Sequence, residues 1–309
     1  EREGWRQLYF VSREGRKVRK VTEGKYDIIR VLKLDEVSQL LYFIASPDNA
    51  TERYLYQIGL DGEGLKRVTP LGQNGSHSYS ISPDAKWAFH TFSNLDSPPV
   101  TNLIELPSHK TVRVMEENQV LREKLSKLKR PQTEFFRIKI AKNLEVDAYA
   151  ILPPDLDSKK KYPLLIYVYG EPAGQTTVNS WRGSGGLWHW MLAQQGYVVM
   201  SIDNRGTTAP RGNAWRKSIY RQVGILASKD QAAAVKQVLK DRPYLDAERV
   251  GVWGWSGGGS MTLNALFRYP DLYRMGISIA PVPNQRLYDT IYQERYMGIP
   301  KDNEEGYKK

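Results

Sequence analysis

The stretch that most constrains the fold is Gly254-Trp255-Ser256-Gly257-Gly258, a serine with a glycine two residues before it and another two residues after it. The residues before it, Arg249 to Trp253, are rich in β-formers, and the proline-free segment after it carries Met261, Leu263 and Leu266. Glycine tolerates backbone conformations and close approaches that other residues resist. The stretch therefore predicts a strand, a very tight turn and a helix, with the serine at the apex.

A Gly-x-Ser-x-Gly sequence between a strand and a helix is the nucleophile elbow of α/β-hydrolases. The turn lifts the hydroxyl of Ser256 above the sheet, at a helix N-terminus whose N–H groups favour an oxyanion. Ordinary loops match the bare pattern as well, so the flanking segments carry the prediction. We interpret Ser256 as a catalytic nucleophile.

Residues 1–115 consist of short β segments joined by turn residues, with a spacing that repeats. Leu8 and Leu55 are 47 residues apart, as are Val21 and Val68, and Leu103 follows Leu55 by 48. A period in the forties with four short strands per unit is typical of β-propeller blades. The segment holds about two and a half such units, so we expect the last blades of a propeller. A complete small β-sandwich is the alternative, but it does not explain the spacing.

Residues 116–134 are polar, helix-compatible and end near a proline, which predicts a connector. Residues 135–309 begin with two alternating apolar and polar runs, predicting an antiparallel strand pair. Continuously apolar segments then alternate with helical ones, as in a mostly parallel sheet covered on both faces. The predicted fold class is therefore α/β, with the N-terminal part of an α/β-hydrolase domain, incomplete at its C-terminus, preceded by propeller blades.

Composition excludes several classes of function. No run of eighteen apolar residues occurs, so no membrane span is expected in this segment. The net charge of +11 is scattered rather than arranged as a stripe, so nucleic acid is not an expected partner. The absence of cysteine excludes disulfides and thiolate metal sites. The histidines show no metal-ligand spacing, and neither a metal nor an organic cofactor is implied.

Ser256 needs a histidine base held by a carboxylate, and in this fold both follow the serine in the chain. None of the four histidines follows Ser256. His189, within Trp188-His189-Trp190, is better explained as a packed histidine than as a displaced base. We therefore expect the triad Asp and His to lie beyond residue 309, and residues 1–309 alone to be inactive.

From about residue 135 onward, and less closely through the blades, the sequence resembles the prolyl oligopeptidase family, in particular its dipeptidyl peptidase IV branch. The residues that carry the resemblance are Lys161 to Leu165, Val168-Tyr169-Gly170-Glu171-Pro172, Asp203-Asn204-Arg205-Gly206, Gly254-Trp255-Ser256, Ala280-Pro281-Val282, Tyr288-Asp289 and Tyr292 to Gly298. The last block is the most specific, because no general hydrolase constraint demands it. The resemblance implies a serine peptidase that combines a propeller with a hydrolase domain.

The resemblance also implies roles for particular residues. Ser256 matches the nucleophile, and Tyr169 matches a tyrosine that completes the oxyanion hole together with the backbone N–H of Gly257. Three further residues match those that line the pocket for the penultimate proline of the substrate: Val282, Tyr288 and Tyr292. Each of these residues also has an ordinary structural explanation, as a strand tyrosine or as core.

Two positions depart from the family pattern. Many relatives carry tyrosine after the serine and an aromatic residue three positions beyond the valine, whereas this chain has Gly257 and Gln285. The pocket should be wider and more polar on that side, which puts a strict proline preference in doubt. The paired glutamates that bind the substrate's amino group in the family are expected to precede Glu1.

The function that this implies is release of N-terminal dipeptides, with proline or alanine in the penultimate position, through an acyl-enzyme. The alternatives are an endo-oligopeptidase or acylaminoacyl peptidase of the same family, and a non-catalytic binding protein with the same two folds. Peptides are the expected partners. The resemblance implies a homodimer and favours the periplasm or the exterior of the cell.

Overall fold

A computed structural model describes residues 1–308 of the chain. The described chain divides into two compact units. The first comprises residues 1–128 with two later segments, 178–183 and 210–214, and the second comprises the rest. The division into propeller, connector and hydrolase domain at residues 115 and 134 stays a prediction.

The first unit is built from antiparallel β-sheets. Two of them have four strands each, in the orders β3-β4-β5-β6 and β10-β9-β8-β7, and β1 pairs with β2 in a third. The ranges are β1 Tyr9–Val11, β2 Val18–Lys20, β3 Ile28–Asp35, β4 Leu40–Ala45, β5 Tyr54–Gly59, β6 Lys66–Arg67, β7 Ser76–Ile81, β8 Trp87–Asn94, β9 Ser97–Glu105 and β10 Thr111–Glu116. That these sheets are about two and a half propeller blades stays a prediction.

Alternating side chains explain how the four-stranded sheets are held together. Phe43 and Leu55 on neighbouring strands are fully buried, as is Ile104 in the second sheet. Successive residues of a strand point to opposite faces, so Leu55 packs in one core with Ile104, whereas Phe43 packs in another with Tyr56. A short helix, α1 (Gln119–Ser126), follows the last blade strand where the sequence predicted a helix-compatible connector.

The second unit contains one six-stranded sheet in the order β11-β12-β14-β13-β15-β16. Its strands are β11 Gln132–Ala141, β12 Leu144–Leu152, β13 Tyr162–Tyr167, β14 Val198–Ile202, β15 Leu245–Trp255 and β16 Met275–Ile279. β11 and β12 form the predicted antiparallel pair, and β12 also pairs antiparallel with β14. β14, β13, β15 and β16 run parallel to one another. The apolar segments are strands, and of the apolar run Pro163 to Tyr169 the part up to Tyr167 lies in β13.

Helices surround the sheet of the second unit and bury its apolar strands. The helical segments are α2 Gly183–Gln194, α3 Gly212–Lys217, α4 Ile225–Asp241, α5 Gly257–Arg268, α6 Thr290–Met297 and α7 Glu304–Lys308, with single turns of 3-10 helix at Gln285–Leu287 and Pro300–Asp302. Ile166, Met200 and Val250 in the central strands have exposures of 1% or less. Among residues 1–308, no helix has both the length and the apolar composition required to cross a membrane.

Candidate active site

Ser256 lies at the predicted sharp turn between β15 and α5. Its φ of 56° and ψ of −119° lie outside the regions that non-glycine residues commonly occupy. The N–H of Ser256 donates to the carbonyl of Ile279, and its own carbonyl accepts the first helical bond, from Ser260. A non-glycine residue held in such a conformation by hydrogen bonds on both sides is typical of a functional site.

The glycines of the turn are required because other backbone segments pass very close to them. A Cβ at Gly258 would lie 2.2 Å from the carbonyl oxygen of Val168, and one at Gly254 would lie 2.4 Å from the same oxygen. Tyr169 follows directly, with its Cα 3.3 Å from the position of a Cβ on Gly258. The missing side chains thus allow the segment after β13 to approach the first turn of α5, bringing Tyr169 and Ser256 into one neighbourhood.

The first turn of α5 provides backbone donors beside the serine. The N–H groups of Gly257 and Gly258 have no acceptor inside the helix, because the first four N–H groups of any helix lack one. These N–H groups lie at the positive end of the helix dipole, an arrangement that stabilises an anion. The arrangement can therefore accept the negative charge that develops when a serine attacks a carbonyl.

Tyr169 is half-buried, and its environment raises the pKa of its hydroxyl. Burial is the main cause, the charge of Glu171 adds to it, and a hydrogen-bonding interaction with Tyr292 opposes it. Its ring covers Gly174, where a Cβ would lie 2.8 Å from a ring carbon. Its hydroxyl is thus kept protonated at neutral pH, as an oxyanion donor requires.

The block Asp203-Asn204-Arg205 lies just after β14 and holds the segment that carries Tyr169. Asp203 is buried and accepts the N–H groups of Thr176 and Thr177 at 3.0 and 3.2 Å. Asn204 donates to the carbonyl of Gly170 at 2.9 Å. These bonds fix both ends of the loop that starts at Tyr169, so the block is structural support for the site.

Arg205, from the same block, attaches this region to helix α4. Its guanidinium donates two hydrogen bonds to the carboxylate of Asp230, at 2.8 and 2.7 Å. The side chain of Asp230 is 3% exposed and that of Arg205 is 30% exposed. A bidentate pair of this kind is geometrically specific as well as strong.

The three residues assigned to the pocket wall lie C-terminal to β16. The backbone N–H of Val282 donates to the hydroxyl of Ser260 at 2.9 Å, and Ser260 lies one helical turn beyond Ser256. This bond fixes the position of Val282. The rings of Tyr288 and Tyr292 meet edge to face at 5.5 Å. Asp289 caps α6 by accepting the N–H of Tyr292 at 2.8 Å, which sets the direction of that helix.

Glu171 was part of a sequence motif but had no predicted role, and the structure places it within the site. It is 5% exposed, and its Oε2 accepts the hydroxyl of Tyr292 at 2.8 Å. The same oxygen lies 2.7 Å from the position that a Cβ on Gly257 would take. A charged residue four positions after the end of the buried parallel strand β13 was the available signal, since ligands of α/β sheets bind at the carboxyl ends of strands.

None of the four histidines of the chain is a neighbour of Ser256 among the contacts described above. His189 is buried in α2 among the rings of Tyr167, Trp188 and Trp253, at centroid distances of 5.3, 5.3 and 5.4 Å. It is the packed histidine that the sequence predicted. His77, His90 and His109 belong to the first unit, where His90 stacks on His77 and Tyr79 and meets His109 edge to face.

Comparison with protein-family models gives two matches, one in the N-terminal part of the chain and one in the C-terminal part. Residues 188–309 match the model of the prolyl oligopeptidase family, and residues 1–99 match the dipeptidyl peptidase IV N-terminal region. The chain belongs to the prolyl oligopeptidase family. Membership confirms both the resemblance and the predicted fold class, an α/β-hydrolase domain preceded by propeller blades.

Individual members of the prolyl oligopeptidase family agree with this assignment. Dipeptidyl peptidase 4 of Arthroderma otae and of Trichophyton rubrum are each 33% identical to the chain over 98% of its length. The crystal structure of Porphyromonas gingivalis dipeptidyl peptidase 4 superposes with a TM-score of 0.92 at 34% identity, covering 100% of this chain and 42% of that one. The chain spans 39% of the length of the two curated relatives.

Proposed function

We propose that the protein is a serine peptidase that releases dipeptides from peptide N-termini, with proline or alanine in the penultimate position. The observation that carries the proposal is the conformation of Ser256, held at a helix N-terminus with Tyr169 brought beside it by glycine contacts. Relatives named dipeptidyl peptidase 4 align along 98% of the chain, which supports the reaction class.

The proposed chemistry is acyl transfer. The hydroxyl oxygen of Ser256 attacks the carbonyl carbon of the scissile bond, and its proton passes to a general base. The hydroxyl of Tyr169 and the N–H of Gly257 donate to the oxyanion that forms. Collapse of this intermediate expels the amine, which takes up the proton, and water then releases the dipeptide from the serine. The expectation that a histidine beyond residue 309 provides the base stays a prediction.

The proposed substrate pocket combines Val282, Tyr288 and Tyr292. Aromatic and branched walls suit a flat, apolar ring such as that of proline, which has no N–H donor to satisfy. Gln285 lies on this side of the site, where its carbonyl accepts the side-chain amide of Gln293 at 3.1 Å. The wall is thus partly polar, and alanine as well as proline fits the proposed pocket.

A fluorophosphonate probe on the full-length protein tests the nucleophile. We expect covalent labelling of Ser256 in the wild type and none in Ser256→Ala. Absence of labelling in the folded wild type would contradict the peptidase function and favour a non-catalytic binding protein.

Chromogenic peptides then test the reaction class. We expect hydrolysis of Gly-Pro and Ala-Pro substrates with a free amino group and little hydrolysis of the same peptides with an acyl-blocked N-terminus. Equal turnover of blocked substrates would instead indicate an endo-oligopeptidase or an acylaminoacyl peptidase.

A further inference from the structure

The carboxyl group of Glu171 occupies the space that a side chain at position 257 would need. Its Oε2, Cδ and Cβ lie 2.7, 2.9 and 3.1 Å from the position of a Cβ on Gly257. Because Gly257 directly follows Ser256, this carboxylate lies along the wall next to the nucleophile.

Glu171 has no cationic partner within the described chain. It is 5% exposed, and the only influences on its pKa are burial, which raises it, and the hydrogen bond from Tyr292, which opposes the rise. A buried carboxyl group without a cation tends to take up a proton, and a bound cation would favour its charged form instead. A cationic ligand would therefore gain more binding free energy here than at a carboxylate that is already paired with a cation.

The surroundings of Glu171 also suit a cation on a long apolar stem. Tyr292 meets the rings of both Tyr288, at 5.5 Å, and Tyr296, at 4.9 Å, in edge-to-face arrangements. Tyrosine faces attract ammonium and guanidinium groups and also pack against the methylene groups of lysine and arginine. The three rings and the carboxylate thus combine apolar walls with an acidic end.

We propose that Glu171 is a specificity-determining residue that lets the pocket beside Ser256 bind lysine or arginine at the residue whose carbonyl is attacked, in addition to proline and alanine. The inference rests on the proposed peptidase function. The residue that supplies the attacked carbonyl is the one nearest to Ser256, so its side chain is the part of the substrate that reaches position 257. Because Gly257 has no side chain, the carboxyl group of Glu171 lies against it, where it accepts the charge of that substrate side chain.

Matched substrates test the proposal on the full-length protein. Ala-Lys and Ala-norleucine p-nitroanilides have side chains of similar length and differ in the ammonium group. We expect kcat/KM for Ala-Lys to exceed that for Ala-norleucine by about tenfold or more, the usual contribution of a hydrogen bond to a charged group. In Glu171→Gln this ratio should fall towards one. Glu294→Gln removes an exposed carboxylate from α6, the helix that carries Tyr292, and should keep the wild-type ratio.

The outcomes separate this inference from the function on which it rests. Labelling of Ser256 with cleavage of Ala-Pro, but a wild-type ratio near one, would overturn the role of Glu171 and leave the peptidase function intact. The same conclusion follows if Glu171→Gln keeps its thermal unfolding midpoint and an unchanged ratio, or loses activity equally on all substrates. Absence of labelling in the folded wild type would overturn both. If Glu171→Gln fails to fold, the ratio of kcat/KM for Ala-Lys to Ala-norleucine in the wild type still tests the proposal.

Discussion

At the scale of single residues, Tyr169 gives the most direct test of the proposed oxyanion site. Its hydroxyl is kept protonated by burial and by the neighbouring Glu171. Tyr169→Phe removes the donor while leaving the ring against Gly174, so we expect kcat to fall about a hundredfold or more with little change in KM. Steady-state kinetics with Ala-Pro p-nitroanilide measure both constants. Tyr197→Phe, at a partly exposed tyrosine before β14, should change neither, and a rise in KM alone would assign Tyr169 to substrate binding.

The turn glycines predict a second residue-scale effect, on stability. Gly258→Ala places a methyl group 2.2 Å from a backbone carbonyl, which cannot rotate away. We expect the free energy of unfolding to fall by about 1–3 kcal/mol, as in other overpacked sites, and labelling of Ser256 to slow. Denaturant unfolding measures the first effect. In Gly185→Ala, at an exposed position of α2 with no atom within 4 Å of the new Cβ, stability should be unchanged or rise by up to about 1 kcal/mol.

At the scale of secondary-structure elements, β7 and β8 are joined by an unusual histidine contact. Nδ1 of His77 lies 2.9 Å from Nε2 of His90, and the two rings stack at 5.1 Å. Burial lowers the pKa of His77 to about 4 and that of His90 to about 3. Both histidines are therefore neutral in the folded sheet over a pH range in which exposed histidines take up protons.

This contact predicts an acid-sensitive sheet. Between about pH 6.5 and 4 the unfolded chain binds more protons at these positions than the folded chain, so the free energy of unfolding falls as the pH falls through that window. Amide hydrogen exchange of β7 and β8, corrected for intrinsic rates, should show protection decreasing from pH 6.5 to 4.5. His90→Phe keeps the ring stack with Tyr79 and removes one titrating group, and should weaken the decrease. An identical decrease in the variant would exclude His90 as its cause.

The elements and the nucleophile were predictable from sequence because their signals are local. Alternating apolar residues predicted β11 and β12, continuous apolar runs predicted β13 and β14, and the glycines around Ser256 predicted the elbow. The environment of Glu171 was not predictable, because it depends on Tyr292, which lies 121 residues further along the chain. The hydrogen bonds that Asp203 accepts from Thr176 and Thr177 were also not predictable from the sequence, since any aspartate at a strand end could make them.

At the scale of the whole molecule, the two edges of the six-stranded sheet differ in how well they are protected. β11, at one edge, carries Arg137 and Lys139 among its apolar residues, and charged side chains discourage pairing with another strand. β16, at the other edge, has the sequence MGISI, with Met275 and Ile277 46% and 41% exposed. Within residues 1–308, β15 is its only strand partner. An uncharged, partly exposed edge strand is a template for intermolecular pairing.

The β16 edge predicts that a polypeptide consisting of residues 1–309 associates with itself. Sedimentation velocity should show a concentration-dependent shift towards dimers or larger species. Ile277→Lys should reduce the shift, because a charge on an edge strand opposes pairing. Val114→Lys places the same charge on β10, an exposed edge strand of the first unit, and serves as the matched control. If both variants reduce association equally, net charge rather than the β16 edge explains it; if neither does, the association does not involve β16.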